Sequence, residues 1–306
     1  MATETHADRS LVPGIDRPAA VTTARRPLSV HNLASRIGFL VLLAFFTVLF
    51  VYPFIWLVSA SLKPGAEVFN GELIPDPVMW ENYSRLFQLT SMAKWSLNSV
   101  YVSFLAAITV TFSSALVAFA FAYFRFPYRN VVFGIVLASM MLPGAVTMIP
   151  NFLIWNALGY VNTLEPLWAA NLFASPFYIF LLRQFFLGLP RELFDAARVD
   201  GANYLRMWWS VALPLTRAAL IVVFVFELKA AWTDLVKPLI FLRDVSLFTL
   251  PRGLKAVIDN PSIGGERHFE LLAVGGVIVT IPMIVIFFLG QRYFLEGIAT
   301  TGSTGR

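Results

Sequence analysis

Long stretches without a charged residue are the feature that most constrains how this chain can fold. They contain 26, 30, 35, 17 and 21 residues, and they lie between Arg36 and Lys63, Lys94 and Arg125, Arg129 and Glu165, Glu165 and Arg183, and Glu270 and Arg292. A helix needs about 20 apolar residues to cross the hydrocarbon core of a bilayer. The stretches therefore predict five membrane-spanning helices.

The composition agrees with a membrane protein. Of the 306 residues, 58% are hydrophobic and 13% are charged, whereas soluble domains contain about 25% charged residues. This excludes a disordered or nucleic-acid-binding chain and argues against an ordinary soluble enzyme. The net charge of +5 is interpreted as a topology signal, because Lys and Arg are retained on the cytoplasmic side. The chain has no cysteine and only three widely separated histidines, so we predict no metal site and no catalytic site.

A sixth span is hidden between Arg217 and Arg243, where four charged residues interrupt an apolar run: Glu227, Lys229, Asp234 and Lys237. A central charge costs about 2.5–3.5 kcal/mol on insertion and each large apolar residue contributes about 0.3–0.6 kcal/mol in favour, so the balance is near zero. Loop charges decide instead: six spans with a cytoplasmic N-terminus leave fourteen Lys and Arg inside and seven outside. We predict an all-α polytopic membrane protein with six transmembrane helices and both termini cytoplasmic.

These spans divide the chain into segments. Residues 1–36 are predicted as a disordered cytoplasmic tail, 37–62 as the first transmembrane helix and 63–93 as an external segment with several turn-forming prolines and glycines. Residues 94–298 form the main transmembrane domain, which includes a long cytoplasmic loop at 184–216, and 299–306 form a cytoplasmic C-terminal tail.

The long cytoplasmic loop contains a predicted amphipathic helix. Pro190 suits the first turn of a helix and Gly201 suits its C-terminal cap. One face of this helix carries Leu193, Phe194 and Ala197. A second helical stretch follows at 203–213, and Pro214 is predicted to kink the backbone that leads into the fifth span.

Two interpretations of the first loop helix are open. As a solvated connector, it would carry the internal pairs Arg191–Asp195 and Asp195–Arg198, worth about 0.2–0.5 kcal/mol each. As a docking helix, its apolar face would lie in a groove of a partner protein, and the small side chains of Ala196 and Ala197 would let the partner's backbone approach closely.

The loop also carries short elements in a fixed order: Asp195-Ala196-Ala197, then Asp200-Gly201-Ala202, then Val211, Leu213 and Pro214. This order closely resembles the EAA loop of ABC-transporter permease subunits, in the form found in the carbohydrate-uptake branch. Other strings of that branch recur in sequence order: Tyr52-Pro53-Phe54, Ser61-Leu62-Lys63-Pro64, Glu81-Asn82-Tyr83, Asn98-Ser99, Pro176-Phe177, Leu182-Arg183-Gln184-Phe185-Phe186 and residues 291–298. The resemblance covers residues 40–298 and is to the maltose-type second permease subunit.

The resemblance implies the type I ABC importer permease fold in a bacterial plasma (inner) membrane. It implies a second permease subunit, a dimeric ABC ATPase and an extracytoplasmic sugar-binding protein as partners, and import of a di- or oligosaccharide or a related sugar. The chain lacks a G-x-x-x-x-G-K-[ST] phosphate loop, so ATP and Mg²⁺ are assigned to the ATPase, and this chain is predicted to bind no cofactor and to be no enzyme. The residues implied for ATPase coupling are Asp195, Ala196, Ala197, Asp200, Gly201, Leu213 and Pro214.

The chain departs from the family pattern in three respects. The first triplet begins with Asp195 instead of Glu, and the fifth span reads Trp232-Thr233-Asp234-Leu235 where the family usually has Trp-Asn-Asp/Glu-Phe. The fifth span also carries more charge than the family usually places there, so what is known of the family's pathway transfers poorly to it.

The charges of the fifth span are candidate pathway residues. At about 100° per residue, Glu227 and Asp234 fall on one helical stripe, Lys237 lies within pairing reach of Asp234, and Lys229 projects opposite Glu227. These groups either pair with the partner subunit or line the route, where the carboxylates would accept hydrogen bonds from sugar hydroxyls. Trp232 either stacks on a sugar ring or packs against neighbouring side chains.

Three other functions compete with a sugar permease. An ion-coupled secondary transporter could use Glu227 and Asp234, but such folds usually contain internal repeats, and this sequence shows none. An intramembrane enzyme would need a cluster of nucleophile, base or metal ligands, which the sequence does not offer. An ABC permease for a polyol or a glycerol-phosphate-type substrate is the third alternative.

Overall fold

The structure is a computed structural model that describes residues 30–260 and 268–302, with side chains at 35–260 and 268–291. The described part is built from helices and turns and contains no β-strand. The chain divides into two compact units, residues 1–52 and 53–306.

The first unit contains most of helix α1, which spans Val30–Ser61. Every side chain from Ser35 to Tyr52 is exposed and most are large and apolar, as expected for a helix surrounded by lipid. Helix α1 begins within the segment predicted as a disordered tail, because a polar residue such as Arg36 does not interrupt a helix. The rest of the predicted tail, residues 1–29, lies outside the described residues.

The second unit contains the end of α1 and the remaining helices. They are α2 (Glu81–Leu89), α3 (Met92–Tyr123), α4 (Arg129–Ser139), α5 (Gly144–Ala157), α6 (Pro176–Leu187), α7 (Arg191–Val199), α8 (Tyr204–Met207), α9 (Leu213–Leu215), α10 (Arg217–Thr233), α11 (Val236–Phe241), α12 (Leu250–Asp259) and α13 (Phe269–Gly302). A π-helical turn, Trp208–Ala212, joins α8 to α9.

Helix α3 is the central element of the second unit, because α6 and α10 both pack along it. Small residues such as Ala106, Ala115 and Ala118 are fully buried on α3 and let the neighbouring helices approach closely. The C-terminal half of α3 joins a hydrophobic core with α6, α7 and the segment 204–215, and its N-terminal half joins a second core with α12 and α13. We call the end of the bundle that carries α7 the α7 end.

The predicted spans are realised in different ways. In the described residues, α1, α3 and α13 are long and apolar enough to cross a membrane as single helices. The third predicted span is formed by two helices, α4 and α5, with a bend of 97° between them. The fifth predicted span, α10, is separated from the helical segment Tyr204–Leu215 by a bend of 83°. If each bent pair counts as one span, these two add to the three single helices and give up to five spans among the described residues. The fourth is the short apolar helix α6, preceded by 3₁₀ turns at 165–173.

Several boundaries differ from the sequence-based ones. Helix α6 continues through Leu187, so the loop predicted to begin at residue 184 leaves the bundle only at Gly188. Helix α13 continues to Gly302, into the segment predicted as a C-terminal tail. The first shift arises because the predicted limit was set at the charged Arg183, which α6 accommodates without ending. The second arises because the predicted limit followed the end of the family resemblance, where no residue marks the end of a helix.

Candidate functional site

Helix α7 has well-defined ends. It begins directly after Pro190, and it ends where Gly201 adopts a φ of +80°. The Gly201 N–H donates to the Arg198 carbonyl at 3.0 Å, and the Ala202 N–H donates to the Ala197 carbonyl at 2.9 Å. These two bonds form a Schellman motif, which satisfies carbonyls that a helix end otherwise leaves unpaired. The helix limits predicted from Pro190 and Gly201 are confirmed.

The inner face of α7 is anchored to α3 by aromatic contacts. The Phe194 side chain is only 4% exposed, and its ring centroid lies 5.3 Å from that of Tyr123 and 5.9 Å from that of Phe119. Arg198 adds a polar contact, because its Nη2 donates to the Tyr123 hydroxyl at 3.0 Å. These contacts join α7 directly to the C-terminal end of α3.

The outer face of α7 exposes a different set of apolar side chains from the one predicted. Phe194 and Ala197 pack into the core at the α7 end, whereas Leu193 and Val199 are exposed, Val199 by 88%. The prediction that Leu193, Phe194 and Ala197 form one docking face is therefore wrong: the turn of the helix divides them between the two sides. The exposed face is formed by Leu193, Ala196 and Val199, spaced three residues apart.

Asp195 lies beside a cavity of about 360 Å³ between α7 and the ends of α3 and α6. Arg125, Arg191 and Arg198 line the same cavity. In the described part of the chain, Asp195 forms no ion pair with Arg191 or Arg198, so the internal pairs expected of a solvated connector are not formed. The exposed carboxylate of Asp195 remains available to a partner.

The second half of the loop leads from α7 to α10. The Asn203 side chain caps α8 by accepting a hydrogen bond from the Arg206 N–H at 2.8 Å. Leu213 is buried in the core at the α7 end, and the exposed Pro214 lies two residues before Thr216, where the chain bends by 83° into α10. The predicted second helix and the predicted kink are confirmed, and the π-helical turn adds a local irregularity that the sequence did not indicate.

Glu227 is held by residues of its own chain. Its Oε1 accepts a hydrogen bond from Asn171 Nδ2 at 2.6 Å, and the Tyr178 hydroxyl lies close enough to interact with the same carboxylate. Ser113 donates to the Asn171 carbonyl at 2.8 Å and so fixes the segment that carries Asn171. Sequence reasoning missed Asn171 and Tyr178, because neither belongs to a charge pattern and both are distant from Glu227 in sequence.

Asp234 does not share a helical stripe with Glu227. Helix α10 ends at Thr233, and Asp234 has an extended backbone with a ψ of 123°, so the rotation of 100° per residue stops before it. Its carboxylate instead caps α11 by accepting from the N–H groups of Val236 at 2.9 Å and Lys237 at 3.2 Å. The Lys237 ammonium lies 3.7 Å from the same carboxylate, which confirms the predicted pair.

Lys229 and Trp232 differ in their exposure: Lys229 lies at the surface and Trp232 is buried. Lys229 is exposed and lines an apolar groove of about 740 Å³ formed by α6, α10 and α13, away from Glu227 as predicted. Trp232 is 4% exposed, and its Nε1 donates to the Val279 carbonyl at 3.1 Å. In this conformation Trp232 packs in the second core, and neither face of its ring is open to a sugar.

Two of the sequence strings that resemble the family, residues 61–64 and 81–83, contact each other in the structure. The Asn82 amide donates to the carbonyls of Ser61 at 3.0 Å and Lys63 at 2.8 Å, which closes the end of α1. The buried Lys63 ammonium donates to the Asn70 side chain at 2.8 Å and to the Glu72 carbonyl. These residues hold the segment that follows α1 in place, a role that spacing alone did not reveal.

Comparison with known proteins gives a consistent result. Residues 111–299 match the family model described as "Binding-protein-dependent transport system inner membrane component". The arabinooligosaccharides transport system permease protein AraQ of Bacillus subtilis (strain 168) is 30% identical over 90% of this chain and 97% of its own length. The sn-glycerol-3-phosphate transport system permease protein UgpE of Yersinia pestis is 32% identical over 82% of this chain and 91% of its own length.

Solved structures agree with these relatives. A chain of a bacterial ABC transporter involved in the import of the acidic polysaccharide alginate is 26% identical, has a TM-score of 0.75, and is matched over 87% of this chain and 98% of its own. A second alginate transporter chain, solved in complex with an alginate pentasaccharide-bound periplasmic protein, is 15% identical with a TM-score of 0.62 over 86% of this chain and 94% of its own, and supports the fold alone.

Proposed function

The chain belongs to the family of binding-protein-dependent transport system inner membrane components, and on this premise we propose that it is one of two permease subunits of an ATP-driven carbohydrate importer. Members of this family are membrane-integral transport subunits and not enzymes. In our proposal ATP and Mg²⁺ bind only to a partner ATPase, this chain binds no cofactor, and an external binding protein delivers the sugar.

The conformation of α7 is the observation that carries the coupling part of this proposal. One face of α7 contacts α3 through Phe194 and Arg198, and on the opposite face Leu193 and Val199 are exposed at the surface of the protein. Exposed apolar side chains at helical spacing are the anchors that a groove in a partner protein recognises. Closure of the ATPases would move α7 and, through it, the core at the α7 end, which shifts the population between inward- and outward-facing states.

The substrate class rests on the relatives. The names of similar permeases include arabinooligosaccharides and diacetylchitobiose, and the similar solved transporter imports alginate. These are all oligomeric or polymeric sugars, which supports a di- or oligosaccharide here. The similarity to glycerol-3-phosphate permeases supports a second candidate, a glycerol-phosphate-type substrate.

Uptake by the whole transporter tests the proposal. The chain is reconstituted in liposomes with its second permease and ATPase, and uptake is measured for oligosaccharides, for glycerol-3-phosphate and without a binding protein. We expect oligosaccharide uptake that requires both ATP and the binding protein. Glycerol-3-phosphate uptake alone would replace the substrate class, and ion-driven accumulation by the single chain would overturn the importer assignment in favour of a secondary transporter.

A further inference from the structure

The fourth predicted span contains a strained residue between its 3₁₀ turns and α6. Ala174 directly follows the turn Ala169–Phe173 and has a φ of +66° and a ψ of 172°. This combination is essentially restricted to glycine, and another residue keeps it only where the surrounding structure forces it to. Strained residues of this kind cluster in segments that switch between conformations. Ala174 therefore marks a position at which the span can change shape.

The backbone on both sides of Ala174 is bound to α3. Before it, the Asn171 carbonyl accepts hydrogen bonds from Ser113 Oγ at 2.8 Å and from the Ala174 N–H at 3.2 Å. After it, the Ser175 N–H donates to Ser114 Oγ at 3.0 Å. The strained residue is thus held between two neighbouring serines of one helix.

The Asn171 side chain extends this network to α10. Its Nδ2 donates to the Ala106 carbonyl of α3 at 3.2 Å and to Glu227 Oε1 of α10 at 2.6 Å, so both of its N–H groups are used. No Lys or Arg of the described residues forms an ion pair with Glu227. Because an ionisable group at membrane depth needs polar partners within the protein, the bond to Asn171 stabilises the Glu227 carboxylate. One amide therefore joins α3, the turn before α6 and α10.

The turn that carries Asn171 has room to move. Leu172 and Phe173, the last two residues of the turn, are exposed by 54% and 87%, so the described part of the chain leaves most of their surface uncovered. Helix α10, which carries Glu227, follows the loop of α7 after the 83° bend. A displacement that passes from this loop into α10 changes the distance between Glu227 and Asn171.

We propose that the hydrogen bond between Asn171 and Glu227 is a latch on a hinge at Ala174. While the bond is formed, Asn171 stays against α3 and Ala174 stays strained. When α10 moves and the bond breaks, the strain is released and the 3₁₀ turns swing relative to α6.

The physical basis of the latch is general. Hinges commonly lie at residues that end helical elements and absorb a change in φ and ψ. Strain that is present in only one of two states shifts the equilibrium toward the other. The proposal gives Glu227 a role in opening the route instead of in contacting the sugar. That the two states are inward- and outward-facing rests on the proposed function, whereas the strain and its hydrogen bonds do not.

Hydrogen exchange in the complete transporter tests the latch. The complex is placed in nanodiscs with and without a non-hydrolysable ATP analogue, and deuterium uptake by peptides that cover residues 170–178 is measured by mass spectrometry. Glu227→Leu removes the acceptor of the latch, and Ala174→Gly removes the strain. Lys229→Leu is the matched control, because it removes a charge from the same helix at a position that points away from Glu227.

We expect slow exchange at residues 170–178 in one nucleotide state of the native transporter and faster exchange in the other. In the slow state, Glu227→Leu is expected to raise the exchange about tenfold, the effect of one lost charge-assisted hydrogen bond. Ala174→Gly is expected to slow it about fivefold, because glycine adopts this conformation without strain. Lys229→Leu is expected to leave it unchanged. Misfolding speeds exchange, so it cannot produce the slower exchange expected of Ala174→Gly.

Other outcomes overturn the proposal. Unchanged exchange in Glu227→Leu, or faster exchange in Ala174→Gly, would exclude a latch on a strained hinge. Weaker sugar affinity in Glu227→Leu with unchanged exchange would make Glu227 a residue of the sugar route. Sugar uptake by the native transporter is measured in parallel, so the two assignments fail separately. Absence of ATP-driven uptake would contradict the importer, whereas normal uptake with equal exchange in both nucleotide states would contradict the latch.

Discussion

Asp195 places an exposed negative charge on the surface of α7. Its carboxylate is exposed beside Arg125, Arg191 and Arg198 but pairs with none of them in the described residues. If a basic residue of the ATPase supplies the missing partner, Asp195→Lys loses a charge-assisted contact of about 1.5–3 kcal/mol and adds repulsion. We expect membrane insertion to be retained and ATPase co-purification to fall at least tenfold, as measured by pull-down.

Asp195→Glu is the matched control, because it keeps the charge and restores the residue that the family usually has. We expect it to retain the ATPase. Normal ATPase retention and uptake in Asp195→Lys would contradict docking and support a solvated connector.

Gly201 sets the direction in which the chain leaves α7. Its φ of +80° is strained for residues with a Cβ, although a Cβ here would meet nothing within 4 Å. The cost of a substitution is therefore conformational rather than steric, about 1–2 kcal/mol for a left-handed residue. We expect Gly201→Val to unwind the Schellman motif and to uncouple ATP hydrolysis from uptake in proteoliposomes.

Asn tolerates the left-handed region better than a β-branched residue does. Gly201→Asn is therefore expected to retain most of the coupling. Equal coupling in Gly201→Val and Gly201→Asn would show that the backbone angle at this position does not matter.

At the residue scale, prediction succeeded where a local backbone rule applied. It failed where a helix ended at a residue that the sequence pattern did not mark as an end. Pro190 and Gly201 marked the limits of α7 through rules that depend only on neighbouring residues. The stripe of Glu227 and Asp234 assumed that α10 continues, but it ends at Thr233. The contact of Glu227 with Asn171 joins residues 56 positions apart, and sequence periodicity carries no information about such pairs.

At the scale of helices, the contact of α12 with α3 depends on the absence of one side chain. A Cβ at Gly253 would lie 2.1 Å from Cε3 of Trp95, which is buried and donates from Nε1 to the Val245 carbonyl at 2.8 Å. The ring therefore has little room to move. We expect Gly253→Ala to lower the stability of the purified protein by about 1–3 kcal/mol, the usual cost of overpacking a core, as measured by thermal unfolding in detergent.

Gly134→Ala is the control for that change. It lies in α4, a Cβ there would meet nothing within 4 Å, and Ala favours a helix over Gly by about 1 kcal/mol. We expect unchanged or slightly raised stability. No loss in Gly253→Ala would mean that the packing at Gly253 is looser than described, and an equal loss in both variants would mean that the loss does not come from the contact with Trp95.

The predicted helices show which features a charge count can detect. The spans α1, α3 and α13 were predicted because their apolar stretches are uninterrupted. The 97° break between α4 and α5 was not, because a run of apolar residues looks the same whether the backbone is straight or bent, although Pro143 lies at the break. Helix α6 was placed too early, since the apolar residues at 165–173 form 3₁₀ turns rather than part of its helix.

For the whole molecule, the two hydrophobic cores give α3 a mechanical role. Its C-terminal half shares a core with α7, and its N-terminal half shares the other with α12, α13 and Trp232. A close-packed interior transmits displacement rather than absorbing it. In the proposed importer, motion imposed on α7 at one end of the bundle would be carried along α3 toward the other end.

That mechanism requires α7 to lie in the cytoplasm, and the topology is testable because the chain has no cysteine of its own. Leu205→Cys lies near α7 and Val245→Cys near the opposite end, and both native side chains are exposed, by 63% and 53%. The excess of Lys and Arg at the α7 end favours its retention inside. In intact cells, we expect an impermeant maleimide to label Val245→Cys only, and Leu205→Cys and Ser303→Cys to react after permeabilisation. Labelling of Leu205→Cys from outside would invert the molecule, and labelling of Ser303→Cys alone would mean an odd number of spans.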